Sequence, residues 1–321
     1  MSTLDLPDLD VFEARRNFRA MGTDCSVLVY GRDASAAALA DLARTRVEIL
    51  ESLWSRFRPE SELSRLNIRS GLGPVPVSAE TEGLLRAMHA GWEWTHGAFD
   101  PSVLAAVGAN GYDRDFSEVL ASDFVAGVGA QAPGLAEVMI GDRTVSLPRG
   151  VGVDPGAIGK GLAADMVVDE ISEAGAMGIL VDLGGDIAFA GTAGHDSMWH
   201  IAIRDERIRA SHDREPDGRH HLVPSGVEHA GIATSTSLTR RWAHGRHHVI
   251  DPSTGTSTDE TFVQVTLAGD RAWECEVLAT AVLVRPDLLD RLPAGMSCVA
   301  FTSDGTPRDD FKQNSDREKV A

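Results

Sequence analysis

One stretch near the middle of the chain, residues 151–165 (VGVDPGAIGKGLAAD), constrains the fold more than any other. Its apolar start predicts a strand ending at Asp154, then a tight Gly-rich turn, then a helix opening near Lys160. Glycines 156, 159 and 161 carry no Cβ, so the backbone can come close to a bound group. A helix N-terminus offers unpaired N–H groups and a positive dipole end, which favours an anion. Lys160 adds a full charge at that place, and Asp154 with the turn carbonyls can balance it or help hold a cation. A plain βα turn with a surface lysine accounts for the same residues, and both readings stay open at this point.

Two familiar phosphate loops are excluded. A Walker loop needs glycine five residues before the Gly-Lys pair and Ser or Thr after it; here Asp154 and Gly161 stand there. The GxGxxG pattern also fails, because Gly159 and Gly161 are followed by Leu162, Ala163 and Ala164.

At 321 residues and 43% hydrophobic content, the chain can bury one large core or two intimate lobes. Its 48 acidic against 30 basic residues give a net charge of −18, which argues against nucleic acid as a partner. Cys25, Cys275 and Cys298 are far apart and form no CxxC pair, so they predict buried free thiols. The acidic N-terminus lacks a continuous apolar segment and a lipidation cysteine, and no membrane span is predicted. The cytoplasm is the expected location.

Along the chain, residues 1–16 are expected as a solvated arm, 17–302 as one domain, and 303–321 as a charged tail. Residues 18–31 predict a strand with Gly22 as a bulge. Residues 34–57 follow a helical period, with Leu39, Leu42, Ala43, Val47, Leu50, Leu53, Trp54 and Phe57 on one face, until Pro59. Residues 61–67 predict a short polar segment. A second helix runs from Ser78 to about His96, and Asp100 before Pro101 is extended. Residues 114–134 give no clear pattern. EVMI and TVSL predict a hairpin leading into the strand before Asp154. Strands follow at residues 178–191, broken by Gly184 and Gly185, and at 199–204. Residues 205–229 predict a long surface loop. Further strand-like segments are 231–237, 247–255 and 262–269; a helix spans about 270–284, and the last strand 297–302.

Candidate chemistry concentrates in three places. Glu276 and Thr280 lie four apart on one helix face; with carbonyls of the 154–157 turn they would form an oxygen-only site of the kind hard Mg²⁺ prefers. Such polar pairs are also common on helices without any ligand. His247 and His248 fall on opposite faces of a strand, so one of them at most serves a given site as a general base. A histidine satisfied by a backbone carbonyl fits this segment equally well. Zinc held by His244, His247 and His248 is disfavoured by irregular spacing and absent cysteine ligands. No GxSxG elbow is present.

Taken in order, FRAMGTDCSV, SRFRPESELSRLN, GAFDPSV, VDPGAIGKGLAAD, VDLGGDIAFAG, IATSTSLTRRW, HHVIDPSTG and ECEVLATAVLV resemble the ApbE family of flavin transferases, from about Phe18 to Val284. The resemblance implies an α/β fold of mixed α+β type, with a T-fold-like core of largely antiparallel sheet and packed helices. It also implies a Mg²⁺-dependent reaction in which FAD is split, FMN passes to a Thr or Ser hydroxyl of an acceptor flavoprotein, and AMP is released. By the same resemblance Met21, Phe57, Ala98, Phe99, Asp100, Asp154, Lys160 and Ile250 bind the flavin nucleotide. Ala157, Glu276, Ala279 and Thr280 hold the metal, and His248 is the candidate base. The chain departs from the family pattern at three points. Glu276 replaces Asp, Leu238 stands where a tyrosine is usual after a missing glycine, and Arg246-His247 precedes His248. Phe57 replaces a frequent Tyr. Two alternatives accompany this reading: an FAD pyrophosphatase, with water as acceptor, and a flavin-binding protein without turnover.

Overall fold

The computed structural model describes residues 11–114, 116–119, 129–196, 198–207, 219–224, 226–242, 245–304 and 306–309. Most of the expected arm, the core of the expected 205–229 loop, His244 and the end of the tail lie outside the described residues.

The chain opens with β1 (Phe12–Ala20) and β2 (Thr23–Gly31), followed by α1 (Ser35–Trp54), α2 (Glu62–Ile68), β3 (Val75–Pro76) and α3 (Ala79–Trp94). Two short helices, α4 (Leu104–Ala109) and α5 (Phe116–Val119), precede the hairpin of β4 (Met139–Gly141) and β5 (Thr144–Ser146). Then come α6 (Gly159–Glu173), β6 (Gly178–Leu183), β7 (Ile187–Gly191), β8 (Met198–Ile203), β9 (Arg219–Pro224) and β10 (Val227–Thr236). The last elements are β11 (Ile250–Asp251), β12 (Thr256–Ser257), β13 (Phe262–Gly269), α7 (Ala272–Val284), β14 (Ser297–Thr302) and β15 (Pro307–Asp309).

Eight strands form one sheet in the order β1-β2-β6-β7-β10-β13-β14-β15, with every neighbouring pair antiparallel. Strand alternation decides what each face covers. Cys25, Val27 and Val29 of β2 join Ile179, Val181 and Leu183 of β6 under α1, α6 and α7. Leu28 and Phe189 point the other way, where Trp199 and Ile201 of β8 cover them. Helix α7 is apolar nearly all round and largely buried, between the main core and a second cluster on β13 and β14. Glu276 is therefore a carboxylate on a buried helix.

Several expectations are corrected. Residues 18–31 are two strands, not one with a bulge: the chain folds back at Met21 and Gly22, with φ of 52° and 71°, a conformation the two-residue hairpin demands. The strand β1 also begins inside the expected arm. Helix α1 ends at Trp54, before Pro59; Leu42 is 51% exposed, and Phe57 lies beyond the helix. The short polar segment at residues 61–67 forms helix α2, because Ser61 accepts the Ser64 N–H as an N-cap. No strand precedes Asp154; β5 pairs with β3 and β4 instead. Part of the expected 205–229 loop is strand β9, paired with β8. Residues 307–309 of the expected tail add the edge strand β15. Within 247–255 only Ile250–Asp251 is strand, paired with Thr256–Ser257.

Candidate active site

The loop before α6 is held in place from both sides. Asn67 of α2 donates to the Val153 carbonyl and accepts its N–H, at 2.9 and 2.8 Å, and the Asp154 N–H reaches the Pro101 carbonyl. The Asp154 carboxylate does not meet Lys160. It accepts the Gly156 N–H and pairs with Arg56 at 3.2 Å, both side chains being 9% exposed. Sequence reasoning misses Arg56, which lies over the rings of Phe57 and Tyr112, with 4.2 and 4.5 Å to the centroids. Its place beside Phe57 in the RFRPES segment is the available signal.

Lys160, second residue of α6, is gripped by two carboxylates. Its ammonium contacts Asp186 at very short range and Glu276 Oε1 at 2.6 Å, while Glu276 Oε2 accepts the Gly161 N–H at 2.7 Å. The helix N-terminus expected to attract an external anion thus already holds the chain's own carboxylate. Burial disfavours the lysine's charge, but Asp186 and Glu276 outweigh it and raise the ammonium above its ordinary pKa. Burial, reinforced by Asp186, pushes the Glu276 carboxyl up. Asp186 is 2% exposed, and its Oδ1 has no hydrogen-bond partner among the described residues. Asp182, four residues before it, accepts the Gly185 N–H and is raised by burial. Sequence reasoning misses both aspartates, although both stand in the VDLGGDIAFAG segment.

Thr280, one turn after Glu276, exchanges a hydrogen bond of 2.8 Å with Ser235 on β10. Ala157 and Ala279 have methyl side chains, so each can offer a metal only its backbone carbonyl. Among the described residues no three His, Cys, Asp or Glu side chains are grouped to hold a metal ion. Yet the candidate ligand atoms are all oxygens, and the buried Asp186 Oδ1 has no partner among the described residues; a cation would share these carboxylates with the Lys160 ammonium. That chemistry fits a hard divalent cation.

His248 follows β10 on the irregular segment 245–249. Its Nδ1 is buried and has no hydrogen-bond partner among the described residues. Burial, then the charge of Arg240, pushes the imidazole down to about 3, with Lys160 among the nearby cations that contribute. His247 is 1% exposed and turned toward the Thr258 carbonyl at 3.3 Å. Ile250 packs with Val107 and Tyr112. Phe57 is 40% exposed, and with Tyr112, Phe116 and Trp242 it forms an aromatic group at centroid spacings of 5.8 to 6.5 Å.

The other predicted nucleotide contacts scatter. Met21 tops the first hairpin, its N–H donated to Glu51. Ala98 and Phe99 are 2% exposed, and the Phe99 ring packs close to Gly91 of α3, as does Val277 of α7, so both residues belong to the core. Asp100 caps the turn at Ser102 and is raised by burial.

A half-buried lysine between two buried carboxylates at the start of a helix packed on an antiparallel sheet is the chemical centre of this fold. The ApbE family model matches residues 21–295, and the chain belongs to the ApbE family. The FAD:protein FMN transferase of Treponema pallidum is 30% identical over 298 residues, covering 85% of this chain and 79% of that protein. The enzyme of the same name from Klebsiella pneumoniae is 29% identical over 280 residues, covering 83% and 77%. The ApbE protein of Thermotoga maritima superposes with a TM-score of 0.76 at 23% identity, covering 95% of this chain and 99% of that one. Flavin transferase ApbE from Vibrio cholerae gives 0.74 at 21%, covering 95% and 99%. These superpositions establish the shared mixed α/β fold. No helix among the described residues is long and apolar enough to cross a membrane.

Proposed function

We propose that this chain is an FAD:protein FMN transferase, working with Mg²⁺ on a Thr or Ser hydroxyl of an acceptor flavoprotein. The grip of Asp186 and Glu276 on Lys160, with Thr280 one turn beyond Glu276 on α7 and Lys160 among the charges acting on His248, carries this reading. In the reaction the pyrophosphate P–O bond of FAD breaks, the acceptor oxygen bonds the FMN phosphorus, and AMP leaves. The His248 imidazole, kept neutral at neutral pH by burial, takes the hydroxyl proton. Lys160 meets the negative charge of the pyrophosphate. Glu276, Thr280 and the carbonyls of Ala157 and Ala279 would hold the cation, which neutralises charge on the phosphates when bound. Phe57 with its exposed ring, Asp154 through Arg56 and Ile250 through Tyr112 share one neighbourhood that would take the flavin nucleotide, with Met21 and Asp100 reaching it from outside that cluster, whereas Ala98 and Phe99 belong to the core.

The test incubates purified protein with FAD, with and without Mg²⁺, and with a Thr-containing acceptor domain. Metal-dependent AMP with an FMN-sized mass on the acceptor is the expected result. AMP with free FMN would make the protein a pyrophosphatase. FAD binding without AMP would make it a flavin-binding protein.

A further inference from the structure

Two carboxylates tie α6 and α7 together, and they do so reciprocally. The N-cap of α7, Arg271, makes no side-chain capping bond. Instead the first two helical N–H groups, of Ala272 and Trp273, donate to Asp165 Oδ1 and Oδ2 at 3.0 and 2.9 Å. Asp165 belongs to α6 and is 2% exposed. The N-cap of α6, Ile158, also lacks a side-chain cap, and the Gly161 N–H of its first turn donates to Glu276 of α7. Each helix thus closes the N-terminus of the other, one turn apart along an antiparallel contact. The fit leaves no slack: a Cβ on Gly161 would meet the Ala272 carbonyl oxygen at 2.7 Å, and one on Gly231 of β10 would meet the Ala272 nitrogen at 2.1 Å.

His229 of β10 closes the third side. Its Nδ1 lies 2.8 Å from the Asp270 carbonyl and so carries a proton, and its buried Nε2 faces Asp165 Oδ1 at 3.4 Å and Asp169 Oδ1 at 3.7 Å. Arg271 pairs with Asp169 at 2.7 Å. Asp165 touches none of the proposed reacting groups, so its buried charge is not explained by direct chemistry. Holding a carboxylate there has a cost, since burial pushes its pKa up to about 7 against the pull of the Trp273 and Ala272 N–H groups.

We propose that Asp165 is a positioning residue: through this mutual cap it fixes the register of α7 against α6, and so sets Glu276 and Thr280 relative to Lys160. The inference rests on the reading of those three residues given above, so its test is built to fail separately from that reading. Hydrogen exchange followed by mass spectrometry on the full chain compares wild type with Asp165→Ala, Asp165→Asn and Glu276→Gln. Loss of the Asp165 carboxylate should speed exchange about tenfold or more not only at Ala272 and Trp273 but also at Gly161, whose N–H goes to Glu276 and not to Asp165. With AMP release from FAD as the readout, the Mg²⁺ concentration for half-activation should rise about tenfold, while the KM for FAD stays within about threefold. Asp165→Asn keeps one acceptor oxygen and should fall between; it is also scored if the alanine variant does not fold.

Faster exchange confined to Ala272 and Trp273, with wild-type Gly161 protection and Mg²⁺ response, would overturn the proposal and leave Asp165 a local cap. If Glu276→Gln keeps the wild-type Mg²⁺ response, Glu276 is not a metal ligand. Coupled exchange at Gly161 would then uphold the mutual cap while that site assignment falls.

Discussion

The ammonium of Lys160 answers two carboxylates that are 3% and 2% exposed, so removing it strands both. Breaking a buried ion pair from one side costs about 3–5 kcal/mol. Lys160→Met should lower stability by about that amount in urea melts, and adding Asp186→Asn should recover part of it. An additive double mutant would mean the pair is not coupled. His248 has a pKa lowered from 6.5 to about 3, so the unfolded chain binds the extra proton between those pH values. Stability from this group is complete above about pH 6.5 and is lost as pH falls toward 3, by about 1.4 kcal/mol per unit. His248→Gln should flatten the acid limb of the stability curve, and it should slow AMP release by about 10²–10⁴-fold. At this scale the sequence is partly legible. Residue type and motif mark Lys160, Glu276, Thr280 and His248. They do not mark the partners: Asp154 turns to Arg56, and Asp186 takes the lysine, because pairing is decided by which elements pack together.

Periodicity locates most elements, since β13, β14, α3 and α7 follow the predicted limits closely and α6 opens where predicted. Errors arise where one local residue reverses or starts the chain. Gly22 at the first hairpin has φ of 71° and no atom within 4 Å of the place a Cβ would take, so a side chain there meets backbone strain alone. Gly22→Ala should therefore cost about 1–2 kcal/mol. Gly231→Ala puts a Cβ into the α7 backbone and should cost several times more, because neither β10 nor α7 can yield. Thermal melts of the two variants give the comparison; equal losses would show that the α7 contact relaxes easily. Ser61 likewise turns a polar segment into a helix, and that helix carries the Asn67 grip on the loop before α6.

For the whole molecule, composition reveals charge and core size, while the strand order is hidden because it depends on pairings between distant segments. A net charge of −18 means the folded chain repels itself. Raising NaCl from about 10 to 150 mM brings the screening length from about 30 to 8 Å. The melting temperature should rise over that range, and a fall would mean specific ion pairs such as Arg46 with Glu80 and Glu170 dominate instead.

The strand order also has a kinetic meaning. Val27 of β2 pairs with Val181 of β6, and Ile232 of β10 pairs with both Ile187 and Ala268. Contacts this far apart in sequence must wait for long loops to close, which puts a sheet of this kind among the slower folders. Lys160, Asp186 and Glu276 come from three segments joined only when those pairings exist. Catalytic competence should therefore emerge late in refolding, after helix content has recovered, and activity would time the closing of the sheet.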